Sequence, residues 1–345
     1  MTSMFTLDQA AREAALTPAL AALVEHHRAN CEPYDRILAA LPDHAVAAIA
    51  DVPWLPVRLF KDLALRSVPE DEVFTVLTSS GTTGDVSRVH LDAPAAAAQQ
   101  RALAATLATV TGPKRLPMLL VDSRAPLAKR RAFSARGAGV LGLMNLGRDH
   151  TFVLDEHGRP DPESVRAFLA RHGHAPFLVF GFTFMVWEYL YRLAADEGLD
   201  LGNGILIHSG GWKKLADRAV GNTEFRRSFA DKTGLRHVHN FYGMVEQIGV
   251  IHLEGPDGHL YSPDNADVVI RDPLTWRENP VGVPGVIEVV STLPRSYPGN
   301  ALLTEDLGVV HGVDDGAWPG KHFSVFGRLP RSQARGCSDT YQEAA

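Results

Sequence analysis

The stretch Thr78-Ser79-Ser80-Gly81-Thr82-Thr83-Gly84 packs five hydroxyls and two glycines into one short loop. It closes a strand-like run, Val73 to Ser80, and precedes a helix predicted from Pro94 to Val110, where the proline suits the first helical position. Hydroxyls and exposed N–H groups bind phosphate oxygens without carrying charge, and glycines let the backbone come close. A strand, small-residue loop, helix order lets such N–H groups converge on an anion. This is not a Walker loop, because that pattern needs a lysine within it and none is present. Taken by itself, a Ser/Thr-rich turn at a strand end is the plainer reading.

Upstream of the loop, Leu16, Leu20 and Leu23, then Ile37, Leu38 and Leu41, recur at helical spacing and predict two or three helices that cap or flank the rest. Val52 to Lys61 contains two prolines, so it reads as an extended connector. Downstream, predicted strands (Leu116 to Asp122, Phe177 to Phe180, Gly204 to His208, His237 to Phe241) alternate with helices (Phe184 to Glu197, Asn222 to Thr233). That alternation predicts an α/β layer structure. After about Gly249, glycine and proline become frequent, and short runs such as Gly285 to Ser291 and Gly308 to His311 predict a smaller, mostly β subdomain. The expected organisation is a helical segment over 1–60, an α/β core over 61–250, a β-rich part over 251–326 and a tail over 327–345.

Further segments follow the loop in order: His208-Ser209-Gly210-Gly211-Trp212, Tyr242-Gly243-Met244-Val245-Glu246, Leu303-Thr304-Glu305-Asp306 and Phe326-Gly327-Arg328. Each has an ordinary alternative as core, turn or incidental Gly-Arg. In this order, from Thr78 to Arg328, they resemble the adenylate-forming superfamily, which includes acyl-CoA synthetases, peptide-synthetase adenylation domains and luciferases.

The resemblance implies a large N-terminal adenylation domain of layered α/β sheets with a small β subdomain, using ATP and Mg²⁺. It implies that Ser79, Ser80, Gly81, Thr82, Thr83 and Gly84 cradle phosphates, Thr83 catalytically. By the same resemblance Ser209, Gly210 and Gly211 line the adenine pocket, where side chains would block the base. Tyr242 and Gly243 meet adenine, Glu246 acts catalytically by holding Mg²⁺, and Asp306 accepts hydrogen bonds from both ribose hydroxyls. Arg328 reaches ribose or phosphate. Phe180, Gly181 and Phe182 border the substrate acid, with His237 or His239 as a further contact or as plain structure. Val245 and Glu305 depart from the family's threonine and glycine. Most relatives add a smaller C-terminal domain whose lysine enters the site. Only residues 329–345 follow Arg328, so that domain is expected to be absent, its charge supplied by Arg88, Lys213, Lys321, Arg331 or Arg335.

The tail carries Arg335-Gly336-Cys337. This is similar to the acyl-protein synthetase (LuxE-type) subgroup, as is Val57 to Lys61 near the N-terminus. The subgroup resemblance implies that Cys337 receives the acyl group before a partner reductase or carrier protein does. Arg335 would favour the thiolate, and Gly336 gives the tail freedom to swing. The alternative is an incidental thiol in a frayed terminus. Cys31, in a helical region, reads as packing.

Composition agrees with a soluble globular chain: 45% hydrophobic, 21% charged, net charge -6. Scattered basic residues exclude a polycationic nucleic-acid face. Two cysteines make no disulfide framework or zinc site, and without a signal peptide or apolar span the expected compartment is the cytoplasm. Three readings compete with self-acylation: delivery of acyl-AMP to coenzyme A or a carrier thiol, a catalytically reduced nucleotide-binding scaffold, and a serine hydrolase, the last opposed by the lack of a G-x-S-x-G elbow.

Overall fold

The computed structural model describes residues 3–42, 45–79, 86–125, 142–212 and 219–329. Ser80, Gly81, Thr82, Thr83 and Gly84 of the loop, Lys213, Arg331, Arg335 and the tail with Cys337 lie outside the described residues.

The strands in chain order are β1 (Leu55–Pro56), β2 (Thr75–Thr78), β3 (Arg88–Leu91), β4 (Leu116–Val121), β5 (Gly147–Phe152), β6 (Phe177–Phe182), β7 (Gly204–Ser209), β8 (His237–Tyr242), β9 (His252–Glu254), β10 (Leu260–Tyr261), β11 (Ala266–Arg271), β12 (Gly285–Ser291), β13 (Ala301–Val313) and β14 (Lys321–Arg328). The principal helices are α1 (Gln9–Asn30), α2 (Glu32–Ala39), α3 (Ala93–Thr111), α4 (Pro162–His172) and α5 (Asn222–Thr233). The chain divides into two compact units, one from the described residues of Met1–Thr109 and Tyr242–Gln333, the other from those of Val110–Phe241. The expected boundaries at 60, 250 and 326 cut across these units, because the N-terminal helices pack with strands distant in sequence.

In the first unit β11, β12, β13, β14, β10 and β9 neighbour one another in that order, with antiparallel pairing through β11 to β14 and on through β10 to β9. β1 adds to β13 in parallel. Helix α1 starts where the Asp8 carboxylate accepts from Ala11 N–H at 2.7 Å. Its residues Leu16, Leu20 and Val24 share a face and pack with Val269, Val290 and Ala301 of the strands. Arg12, fully buried, donates to the carbonyls of Pro263 and Ala266, both at 2.6 Å, and so ties α1 to the chain entering β11. Cys31 is buried in a neighbouring apolar cluster, as packing requires.

The phosphate-loop context differs from expectation in one respect. The strand–loop–helix order is replaced by a hairpin: β2 pairs antiparallel with β3, from Thr75 opposite Leu91 to Thr78 opposite Arg88. Val89 and Leu91 are buried while Arg88 faces solvent, the period of a strand. The loop therefore joins two strands, and α3 begins only after β3.

In the second unit β8, β7, β6, β4 and β5 lie side by side, all parallel. Burial on both faces explains the unbroken apolar runs of β4 and β6. The stretch predicted as one helix from Phe184 divides into Thr183–Met185, a π-helical turn Val186–Tyr191 and Arg192–Glu197. Among the described residues no helix is long and apolar enough to cross a membrane.

Leu20→Ala should cost about 2–5 kcal/mol, by lost transfer energy plus a residual cavity, against about 1 kcal/mol for Asp8→Ala, which removes only a cap. Urea unfolding of the two variants checks the order.

Candidate active site

Asp306 lies on β13 directly opposite Arg328 on β14. That register brings the arginine to the carboxylate: Arg328 Nε donates to Asp306 Oδ1 at 3.0 Å. Tyr242, the last residue of β8, donates its hydroxyl to Asp306 Oδ2 at 2.7 Å. Thr304 shapes the approach, since its hydroxyl donates to the Ile287 carbonyl at 2.7 Å and accepts from Asp306 N–H at 3.1 Å. Both carboxylate oxygens thus have one partner, and each keeps a lone pair for a ligand hydroxyl. Burial, and next the Asp306 charge, push the Tyr242 phenol well above its ordinary range. Tyr242 stays a neutral donor.

The Tyr242 ring lies 5.9 Å from that of His252, at 35°. His252 is buried, its pKa lowered to about 4 chiefly by burial, and it shares a 2.9 Å hydrogen bond with Ser262. Sequence reading missed this residue, for an isolated histidine on a short strand carries no spacing signal.

Glu246 sits in a 3-10 turn, Val245–Gln247, with 7% of its surface exposed. Desolvation raises its pKa, opposed in part by the neighbouring Ser87 hydroxyl and by the charges of Lys61 and Arg328. It forms no ion pair among the described residues. A buried, desolvated carboxylate without a cation partner fits a divalent metal ligand, so the residue present suits the Mg²⁺ that the sequence implied. Ser79 is linked to the same region: Ser87 N–H donates to Ser79 Oγ at 2.9 Å, and Ser79 N–H to the Ser87 carbonyl at 3.1 Å. Gly243 follows Tyr242 and is exposed, and a Cβ there would lie 3.1 Å from the Val250 carbonyl oxygen.

Of the cations proposed to replace a C-terminal-domain lysine, Lys321 is excluded. It is buried, ion-paired with Asp267 and Glu278 at 3.3 Å each, and bonded to the Val268 carbonyl at 2.9 Å. Lys61, which sequence reading did not weigh among these cations, is one of the charges that act on Glu246. Val57 N–H donates to the Leu303 carbonyl at 2.9 Å, which ties the start of Val57 to Lys61 to the strand that bears Asp306, and a helical turn, Leu59–Asp62, follows.

The remaining sequence-predicted residues belong to the second unit. Ser209 ends β7, Gly210 follows with φ of 84°, a conformation suited to glycine, and Gly211 is exposed with open space where a side chain would be. Phe180 and Phe182 are buried on β6. A Cβ on Gly181 would come within 2.7 Å of Val121 and 2.8 Å of Val186, so glycine lets β6 close against β4 and the next helical turn. His208 Nδ1 and Thr183 Oγ1 share a 2.9 Å hydrogen bond. His237 is exposed and His239 buried on β8.

The family model for the acyl-protein synthetase LuxE matches residues 5–345. The chain belongs to the LuxE acyl-protein synthetase family. Membership makes it an AMP-forming ligase. The long-chain-fatty-acid–luciferin-component ligase of Vibrio harveyi is 23% identical over 333 residues, covering 93% of this synthetase and 85% of that one. Among solved structures, 2-hydroxyisobutyryl-CoA ligase in complex with 2-HIB-AMP and CoA is 18% identical with a TM-score of 0.69, over 95% of this chain and 77% of that one. ATP-bound MatB from Rhodopseudomonas palustris is 18% identical with a TM-score of 0.50, over 77% and 50%. These likenesses show that the synthetase has the adenylate-forming ligase fold.

Because the folded pKa of Glu246 is raised, its favourable contribution to folding is complete below the ordinary carboxylate range and is lost as pH rises through the raised value. At neutral pH and without nucleotide or divalent cation, Glu246→Gln should therefore raise Tm, by a few degrees. Below about pH 4 the two proteins should melt alike. A lower Tm for the variant at pH 7.5 would contradict the assignment.

Proposed function

We propose that this chain activates a carboxylic acid, a fatty acid by the name of its curated relative, to acyl-AMP, and then carries the acyl group on Cys337 to a partner protein. The observation that carries the reading is the pair of hydrogen bonds holding Asp306 between Tyr242 and Arg328, with the buried Glu246 nearby in charge terms, on a chain of the acyl-protein synthetase family.

In the first step a carboxylate oxygen attacks the α-phosphorus of ATP, the bond to the bridging oxygen breaks, and pyrophosphate leaves with that electron pair. Both reactants are anions, so positioning and charge screening dominate the barrier. Asp306 would accept the ribose hydroxyls, and the Tyr242 ring would face adenine with Ser209, Gly210 and Gly211. The loop Ser79 to Gly84, Thr83 included, would hold phosphate oxygens through N–H and hydroxyl groups. Glu246 would hold Mg²⁺, which when bound neutralises triphosphate charge. Lys61 and Arg328 add positive charge around Glu246. Phe180, Gly181 and Phe182 are assigned to the acyl end.

In the second step the Cys337 thiolate attacks the acyl carbon, the carbon–oxygen bond to AMP breaks, AMP leaves, and the thiol proton passes to solvent. The thioester then awaits a nucleophile on an acceptor, for which a reductase is the reading that the family resemblance favours. The cytoplasm is the compartment proposed, where a free reactive thiol persists.

Cys337→Ser should abolish labelling of the chain by radioactive fatty acid and leave acid-dependent pyrophosphate exchange intact; labelling that persists removes the thioester from the scheme. Asp306→Ala, which deletes the acceptor for ribose, should raise KM for ATP in the exchange assay by roughly ten- to a hundredfold, the worth of one or two hydrogen bonds to a charged group. An unchanged KM would place the nucleotide elsewhere.

A further inference from the structure

Three imidazoles and two carboxylates meet at one end of the first unit's sheet, and none of them takes part in the chemistry above. The rings of His259 and His311 lie 4.6 Å apart, those of His259 and His322 5.0 Å, and those of His311 and His322 6.1 Å. Strand geometry brings them together. Tyr261 pairs with His322 across β10 and β14, and His259, two residues before Tyr261, shares its face. On β13 the register shifts between Val310 and Gly312, so His311 is the extra residue of a bulge and turns to the same side, away from the buried Val310 and Phe323.

The backbone is shaped around the cluster. A Cβ on Gly312 would collide with the Asp315 carboxylate and with His322 Nε2, and one on Gly316 with the Tyr261 hydroxyl. Glycine at 312 lets Asp315 accept from, or face, His322 Nε2 at 2.9 Å. Asp257, in the turn before β10, is held by the hydroxyl of Tyr261 and by Ala317 N–H at 3.3 Å.

A ring nitrogen of His259, one of His322 and a carboxylate oxygen of Asp257 all lie within 4.8 Å of one another. His322 Nδ1 is buried with no hydrogen-bond partner, a cost that a folded protein ordinarily removes with a ligand or a bound group, and the buried His259 Nδ1 faces Asp257 Oδ2 at 3.5 Å, beyond hydrogen-bond length. We propose that His259, His322 and Asp257 bind one divalent ion of the zinc class, with His311 and Asp315 at its rim. Imidazole with carboxylate selects zinc-like ions over Mg²⁺, which prefers oxygen alone. Bonds of about 2.0–2.2 Å set tetrahedral ligand atoms roughly 3.4 Å apart, so closing on an ion takes about an ångström of side-chain rotation. Tyr261 on Asp257, and Asp315 on His322, are outer partners of the kind that orient metal ligands. The ion would clip the β9–β10 turn to the β13–β14 hairpin.

The full chain, stripped with a chelator, is titrated with Zn²⁺ against a chromophoric competitor in excess Mg²⁺, and separately with Co²⁺ followed by visible absorption. One ion per chain, a Co²⁺ spectrum without a thiolate charge-transfer band, and binding weakened at least about tenfold in His259→Asn and in His322→Asn support the site. His172→Asn, on α4, should bind like the wild type. Absence of stoichiometric binding, a thiolate band that assigns the ion to a cysteine, or wild-type affinity in His259→Asn overturns it. Circular dichroism checks each variant; should His322→Asn fail to fold, the partly exposed His259→Asn decides.

Discussion

The hydrogen bonds on the Asp306 carboxylate tie Tyr242 and Arg328 to β13 at one point of the first unit. Two long antiparallel strands put Asp306 and Arg328 in register, and the chain entering this unit at Tyr242 supplies the second partner. A carboxylate gripped at both oxygens has little rotational freedom left, so its spare lone pairs point in fixed directions. That is preorganisation: the entropy of orienting the acceptor is lost on folding and not on binding. Thr304 serves the same end by using its hydroxyl to fix the backbone on either side of Glu305.

Glu246 shows the opposite balance. Burial disfavours its charge, and no described cation pairs with it, so the free protein holds a group that would be cheaper as an amide. Such a cost persists where a ligand recovers it, and in the proposed function a divalent cation bound with the nucleotide would bring the missing charge. The region around it is tightly built. A Cβ on Gly299 would lie 2.7 Å from the Glu246 carbonyl, and Tyr297 is buried beside it. Elsewhere in the same sheet buried charge is answered within the protein, Arg271 by Glu288 and Lys321 by Asp267 and Glu278. The contrast separates ion pairs that belong to the fold from a carboxylate that waits for a partner.

The histidine cluster extends that contrast. Its members come from the turn before β10, a bulge in β13 and the start of β14, and glycines at 312 and 316 leave the space they need. Because β14 carries His322 at one end and Arg328 at the other, an ion at the cluster would stiffen the strand on which the Asp306 partner is mounted.

The sequence alone determined what depends on neighbours a few residues away. Helix α5 and strand β12 run from Asn222 to Thr233 and from Gly285 to Ser291, as their periodicity and flanking glycines indicate. The ordered segments from Thr78 to Arg328 pointed to the superfamily and singled out Tyr242, Asp306 and Arg328, which the structure joins, because spacing within a motif is written directly in the chain. Strand β5, with polar residues in the middle, and the four-residue β3 were not evident, since neither has enough apolar residues to establish a period. The hairpin of β2 and β3, the π-helical turn after β6 and the burial of Lys321 among Asp267 and Glu278 were settled only in three dimensions. Each depends on partners far away in sequence, and a side chain's charge, exposure and freedom are fixed by what packs against it, which no local pattern of letters contains.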